Sequence, residues 1–128
     1  MSEIVINKEL LRIKPEQWRD PVFCLEMVKN CGEALDFVQE KIITAEMCLA
    51  AIRQDGMSLE YVPKAFYTED LFLEAVKQNG IALAYVPKLL FTRAIVTAAV
   101  LQNRKALQYV PDIWREEAKN AINNKENN

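Results

Sequence analysis

Which reactions lie within reach of this chain is set first by what it lacks, since none of its 128 residues is a histidine. The side chain that most often serves as general base or metal ligand near neutral pH is therefore absent. The three cysteines, Cys24, Cys31 and Cys48, show no Cys-x-x-Cys spacing, which argues against a zinc site. No Gly-x-x-x-x-Gly-Lys-[Ser/Thr] phosphate loop and no Gly-x-Gly-x-x-Gly turn can be formed from Gly32, Gly56 and Gly80. Carboxylates do occur in pairs, at Glu69/Asp70 and Glu116/Glu117. Two such groups could share acid–base work if one were desolvated. Neighbouring helix residues, however, do not share a face, and acids are expected near helix N-termini, where the dipole favours them. The expectation is a chain with no catalytic residue, no metal site and no cofactor.

The side chains left to consider recur at a fixed interval. Lys29, Arg53 and Lys77 stand 24 residues apart, followed by Leu101. Beside them run Asn30, Gln54, Gln78 and Gln102, and a third column holds Glu26, Ala50, Glu74 and Ala98. A row of charge next to a row of amides could grip an extended peptide, so Lys29, Arg53, Lys77, Gln54, Gln78 and Gln102 are the expected partner-binding residues. The plainer alternative is a solvated helix face carrying i, i+3 Glu–Lys pairs. Leu101 and Ile81 are apolar where the other units suggest exposure. A further column, Phe37, Tyr61, Tyr85 and Tyr109, could stack a ligand, but it alternates with a leucine column (Leu35, Leu59, Leu83, Leu107) in the least variable part of each unit. Packing between repeats explains it better, with each hydroxyl reaching a polar partner or water.

These columns belong to a repeat. Residues 56–79 and 80–103 match at eleven of 24 positions, and the leucine column extends back to Leu11 without a gap. Such a period marks an array whose units bury their apolar faces only against neighbours. Each unit opens with a helix N-cap, Asp20, Thr44, Thr68 or Thr92, and Pro21 suits a first helical position. Ile43, Tyr67 and Phe91 precede three of the caps and can staple to Cys48, Phe72 and Val96. Phe72, Ala75, Val76 and Asn79 follow i, i+3, i+4, i+7, which predicts a helix of about three turns. Gly32, Gly56 and Gly80 read as left-handed helix stops. On that reading Arg104, which stands in the glycine column, is strained, and Arg104→Gly should leave stability unchanged or raise it. Around Pro63 two short turns are expected, through 58–61 and 63–66.

The units resemble a bacterial family of tandem helical repeats of about 24 residues known only as a domain of unknown function. The signature is Ala-Val-x-x-[Asn/Asp]-Gly, then x-Ala-Leu-x-Tyr. Ala75, Val76, Asn79, Gly80, Ala82, Leu83 and Tyr85 carry it in full. Residues 20–38 and 44–62 carry most of it, and 92–111 lacks the glycine. The likeness spans about 8–122 and implies a helical array without bringing a reaction, cofactor or catalytic residue. A leucine-rich repeat also fits the period, with Leu59-x-Tyr61 as its strand. That strand would end at a proline, and the family's asparagine column is missing.

The fold expected is therefore all-α, tandem 24-residue helical repeats in a short α-solenoid-like array. It forms one domain over 1–122, with a partial unit near 8–19, units at 20–43, 44–67, 68–91 and 92–115, and a polar C-terminal cap at 116–122. Residues 123–128 read as a disordered tail. A net charge of −2 with no basic run argues against nucleic acid, and no apolar stretch approaches a membrane span. The first residues lack a secretory pattern, and an odd number of cysteines with no disulfide spacing suits reduced, buried thiols in the cytoplasm. The function that follows is non-catalytic protein interaction, with a protein or peptide as partner. A small enzyme using surface carboxylates and a subunit that self-assembles are the alternatives.

Overall fold

A computed structural model describes residue 10 and residues 12–127; Leu11 and the segment 1–9, which includes part of the leading unit, lie outside the described residues. Among the described residues every regular element is helical. From Gln17 onward the described α-helices are, in order, α1 (Pro21–Asn30), α2 (Ala45–Gln54), α3 (Glu69–Gln78), α4 (Arg93–Gln102) and α5 (Asp112–Asn127). Each of the first four is followed by a six-residue 3-10 helix, at Gly32–Phe37, Gly56–Tyr61, Gly80–Tyr85 and Arg104–Tyr109. Shorter 3-10 turns occupy Gln17–Arg19, Lys64–Phe66 and Lys88–Leu90. No strand forms at Leu59–Val62, so the leucine-rich alternative falls.

All four N-caps form as the sequence predicts. Asp20 Oδ1 accepts from the Val22 amide, and Thr44, Thr68 and Thr92 each accept from the amide three residues on, at 3.0–3.2 Å. The staple is visible at Tyr67, whose ring meets Phe72 edge-on with centroids 5.0 Å apart.

The helix stops are different. No glycine among the described residues has a positive φ. Each of the first four α-helices instead ends on Cys31, Asp55, Asn79 or Asn103, all extended, with φ between −150° and −158°. The side chains of Asp55, Asn79 and Asn103 accept from the amide two residues on, which caps the 3-10 helix that starts next. One residue thus closes one helix and opens another, and no left-handed residue is required.

Six residues is long for a 3-10 helix, and its burial pattern shows why the chain tolerates it. With three residues per turn, i and i+3 eclipse. Gly32, Leu35 and Val38 form such a buried line, as do Gly56, Leu59 and Val62, and Gly80, Leu83 and Val86. The apolar period here is three, where the α-helices show 3.6.

The architecture is two layers. Consecutive α-helices pack on one another, consecutive six-residue 3-10 helices do the same, and each α-helix from α2 to α4 also packs on the 3-10 helix of the unit before. The core lies between the layers. Cys24, Cys48, Phe72 and Val96, one column, are all at most 2% exposed. Towards the N-terminal end Trp18 packs edge-on to Phe23 and Phe37 at 5.6 and 5.5 Å. The other end is closed by α5 through buried Ala118 and Ile122. This helix runs on through Asn127, across most of the stretch that composition marks as a tail. Lys125 Nζ donates to the Leu101 carbonyl, and Arg104 pairs with Glu126, which tie the last turns to α4 and the 3-10 helix after it.

Candidate functional site

The glycines show how closely the units approach. A Cβ on Gly32 would sit 2.2 Å from Ser58 Oγ and 2.9 Å from the Ala51 carbonyl; on Gly56, 2.5 Å from the Ala75 carbonyl; on Gly80, 2.3 Å from the Ala99 carbonyl. In each case the α-helix of the following unit lies directly against the glycine. Arg104 escapes the constraint. Its successor α5 begins at Asp112, out of step with the period that would start it at 117, and the arginine side chain extends to Glu126. The expectation of backbone strain at Arg104 is therefore corrected: its column requires closeness between units, and that requirement ends with the last one.

The glutamine column belongs to the same joint. Gln54 Oε1 accepts from the Gly32 amide at 2.9 Å, and its Nε2 donates to the Asn30 carbonyl at 3.4 Å. Gln78 Nε2 donates to the Arg53 carbonyl, and Gln102 Oε1 accepts from the Gly80 amide, both at 2.5 Å. Each amide reaches back one unit to groups left unsatisfied where an α-helix ends and a 3-10 helix begins. Gln54, Gln78 and Gln102 thus fasten one unit to the next, and the row of amides expected to grip a peptide is engaged within the chain.

The cations of that expected ridge remain outward. Lys29 sits 3.9 Å from Glu26 in its own unit, and Arg53 sits 3.9 Å from Glu74 in the next; all four side chains are well exposed, so these pairs contribute little to stability. Lys77 is exposed and makes no ion pair among the described residues. Lys77 instead edges an open trough of about 780 Å³, together with Arg93, Ala94, Thr97, Ala98, Leu101, Gln102 and Lys125. The sequence points to Lys77 and Leu101, but not to Arg93 at the start of α4 and Lys125 in the last turn of α5, which stand beside them. A narrower recess of about 390 Å³ lies at the other layer, among Ala84, Lys88, Gln108, Tyr109, Asp112 and Arg115.

The groups able to do chemistry are quiet. Glu69, Asp70, Glu116 and Glu117 are exposed at the starts of α3 and α5, and Glu117 pairs with Arg93 at 2.5 Å. Burial pushes the Cys48 thiol up to about 11, and burial, then the nearby Asp20 carboxylate, raises that of Cys24, whose Sγ donates to the Trp18 carbonyl. Both stay protonated and unreactive. Cys31 is half-buried, and all three cysteines are free. In the aromatic column, Tyr61, Tyr85 and Tyr109 are half-buried and pack against the core. Burial raises the phenol of Tyr61, with Glu60, Glu33 and Asp36 adding to it; burial and a hydrogen bond to Glu60 raise that of Tyr85. Among the described residues no group of three or more Cys, Asp or Glu is placed to hold a metal ion, and no helix is long and apolar enough to cross a membrane.

The sequence profile of a domain of unknown function, DUF4116, matches the chain twice in tandem, over residues 20–67 and 68–115. Each match covers two of the 24-residue units, so the family's domain is twice the length that the internal repeat suggests. No curated protein and no solved structure matches the chain.

Proposed function

From the premise that this chain belongs to the DUF4116 family, to which no activity is attached, we propose that it is a non-catalytic protein-interaction module. The observation that carries this reading is a division of labour between columns. The residues that repeat most faithfully, Gly32/Gly56/Gly80, Leu35/Leu59/Leu83 and Gln54/Gln78/Gln102, all serve contacts between units. The residues that differ from unit to unit, such as Glu26/Ala50/Glu74/Ala98 and Lys29/Arg53/Lys77/Leu101, lie along the outward side of the α-helix layer. Helical arrays present an extended surface of this kind to partners, and variation along it gives specificity without altering the scaffold.

On this reading the partner is a protein or peptide met by the α-helix layer, with Lys29, Arg53 and Lys77 steering it in a salt-dependent way. Cytoplasmic placement belongs to the same reading, since the buried, unpaired Cys24 and Cys48 suit a reducing compartment. The experiment is capture from a lysate of the source cells, followed by mass spectrometry, with the wild type and with Arg53→Glu/Lys77→Glu. Reversal should abolish capture while the melting temperature stays nearly constant, because both residues are exposed. Undiminished capture by the reversed variant removes the cationic ridge from the proposal. Turnover of a substrate that is lost on mutating Glu69 or Asp70 overturns the non-catalytic reading, and capture of nothing but the chain itself turns it into self-assembly.

A further inference from the structure

Helix α4 departs from its siblings on the outward side. Ala94, Thr97, Ala98 and Leu101 stand at i, i+3, i+4, i+7, where α3 has Asp70, Leu73, Glu74 and Lys77, and α2 has Glu46, Leu49, Ala50 and Arg53. Three positions that are charged in α3 are thus apolar in α4. Its inward face is apolar too, with Ile95, Val96, Ala99 and Val100 almost fully buried. A helix that is apolar on both sides is expected only where both sides are covered, yet Ala94 is exposed and Thr97, Ala98 and Leu101 are half-exposed.

The uncovered face forms the floor of the 780 Å³ trough. Three of its floor residues are small (Ala94, Thr97, Ala98), which lets another backbone come close. Its charged rim is basic throughout: Lys77 from α3, Arg93 from the start of α4 and Lys125 from α5. Glu117 partly offsets Arg93, while Lys125 donates to a carbonyl and Lys77 makes no ion pair among the described residues, so the charges that line the trough are net positive.

Resting on the interaction-module reading, we propose that this trough is the docking site for an amphipathic helix of a partner protein, with an apolar stripe flanked by aspartate and glutamate. The stripe would lie on Ala94, Ala98 and Leu101 as anchors at helical spacing, and the acidic flanks would face Lys77 and Lys125. The ten residues of α4 give a floor about 15 Å long, enough for about three turns of a partner helix. Charge decides between occupants: a basic amphipathic helix, or a nucleic acid lacking an apolar stripe, matches only one of the two features.

The variant that tests it is Ala98→Glu/Leu101→Lys, which gives α4 the outward residues that α3 already carries at Glu74 and Lys77, so the fold accommodates them. A displayed library of helical peptides of about 14 residues, with randomised flanks on a fixed apolar stripe, is selected on the full chain. Enrichment of Asp and Glu in the flanks is expected, with the enriched peptides binding the double variant about tenfold more weakly or worse, as on loss of a central anchor. Lys77→Glu alone should weaken the same peptides and flatten their salt dependence. Enrichment of Lys and Arg, absence of enrichment, or binding undiminished in the double variant overturns the proposal. So does a wild-type dimer in sedimentation that the double variant abolishes, because the occupant is then a second copy. A partner from source-cell lysate that the double variant captures as well as the wild type refutes the trough and leaves the interaction-module reading standing.

Discussion

Substituting alanine for Gly80 separates two reasons for a glycine in this column. If glycine served a left-handed backbone, the cost would be conformational strain in one residue. The structure gives it an ordinary φ, where alanine would by itself stabilise the chain by about 0.4–1 kcal/mol through a less flexible unfolded state. What opposes this is space. The added Cβ would lie 2.3 Å from the Ala99 carbonyl oxygen and 3.1 Å from both the backbone nitrogen and the Cβ of Asn103. Two of those atoms are backbone at the next unit's helix end and the third is a Cβ fixed to it, so none can rotate away as the far end of a side chain would. Restoring ordinary contact means moving the end of α4 by about 1 Å, and overpacking of this kind costs about 1–3 kcal/mol. The same movement lengthens the bond from the buried Gly80 amide to Gln102 Oε1, adding about 0.5–1.5 kcal/mol. The net loss expected is about 0.5–4 kcal/mol, set against the 5–15 kcal/mol typical of a domain. Urea unfolding followed by circular dichroism reads it directly. A Gly80→Ala protein as stable as wild type, or more so, refutes the close-approach account.

The companion change Arg104→Gly should cost about 0.5–1 kcal/mol, because glycine here adds only unfolded-state freedom and removes an exposed pair with Glu126; a gain in melting temperature would restore the strain account. Gln102→Ala leaves the buried Gly80 amide without its acceptor and should lower stability by about 1–2 kcal/mol, whereas an unchanged urea midpoint would show that the column is free to meet a partner. Cys48 gives a pH signature: its thiol, normally 9.0, stands at about 11 in the fold. The unfolded chain therefore releases that proton first, so stability is intact below pH 9 and falls by about 2–3 kcal/mol as pH rises towards 11. Cys48→Val, which copies Val96 of the same column, should fall less steeply; identical slopes in the two proteins would refute the assignment.

Much of the fold could be read from the sequence because the features concerned are local. An N-cap threonine and a stripe at 3.6 spacing depend on residues within one turn, so Thr44, Thr68 and Thr92 mark their helices correctly. The glycines misled because two physical causes leave the same residue in the same place. A left-handed stop and a backbone pressed against a glycine both forbid a side chain, and only the position of the following unit's carbonyl tells them apart. A sign against the stop is nonetheless present in the sequence. Asp55, Asn79 and Asn103, each immediately before the glycine column, suit an extended N-cap, which leaves a left-handed residue nothing to do. The end of α5 was obscured for a related reason. Asn123–Asn127 has the composition of a tail, and it is held through Lys125 and Glu126 by groups some 24 and 22 residues earlier.

The candidate site was harder to read because a column of like residues does not say which way it points. Lys29, Arg53, Lys77 and Gln54, Gln78, Gln102 are adjacent in sequence, yet the first set faces solvent while the second reaches back across the joint between units. The distinction is one of reach: an amide one residue beyond the cation, at the end of the helix, is close enough to bond the backbone of the preceding unit. This leaves a simple rule for the array. What every unit keeps is needed to hold the next one, so under the proposed interaction role recognition falls to the positions where one unit breaks the pattern. In the α-helix layer the largest such break is α4, whose outward alanines and leucine replace charge at three positions under a basic rim.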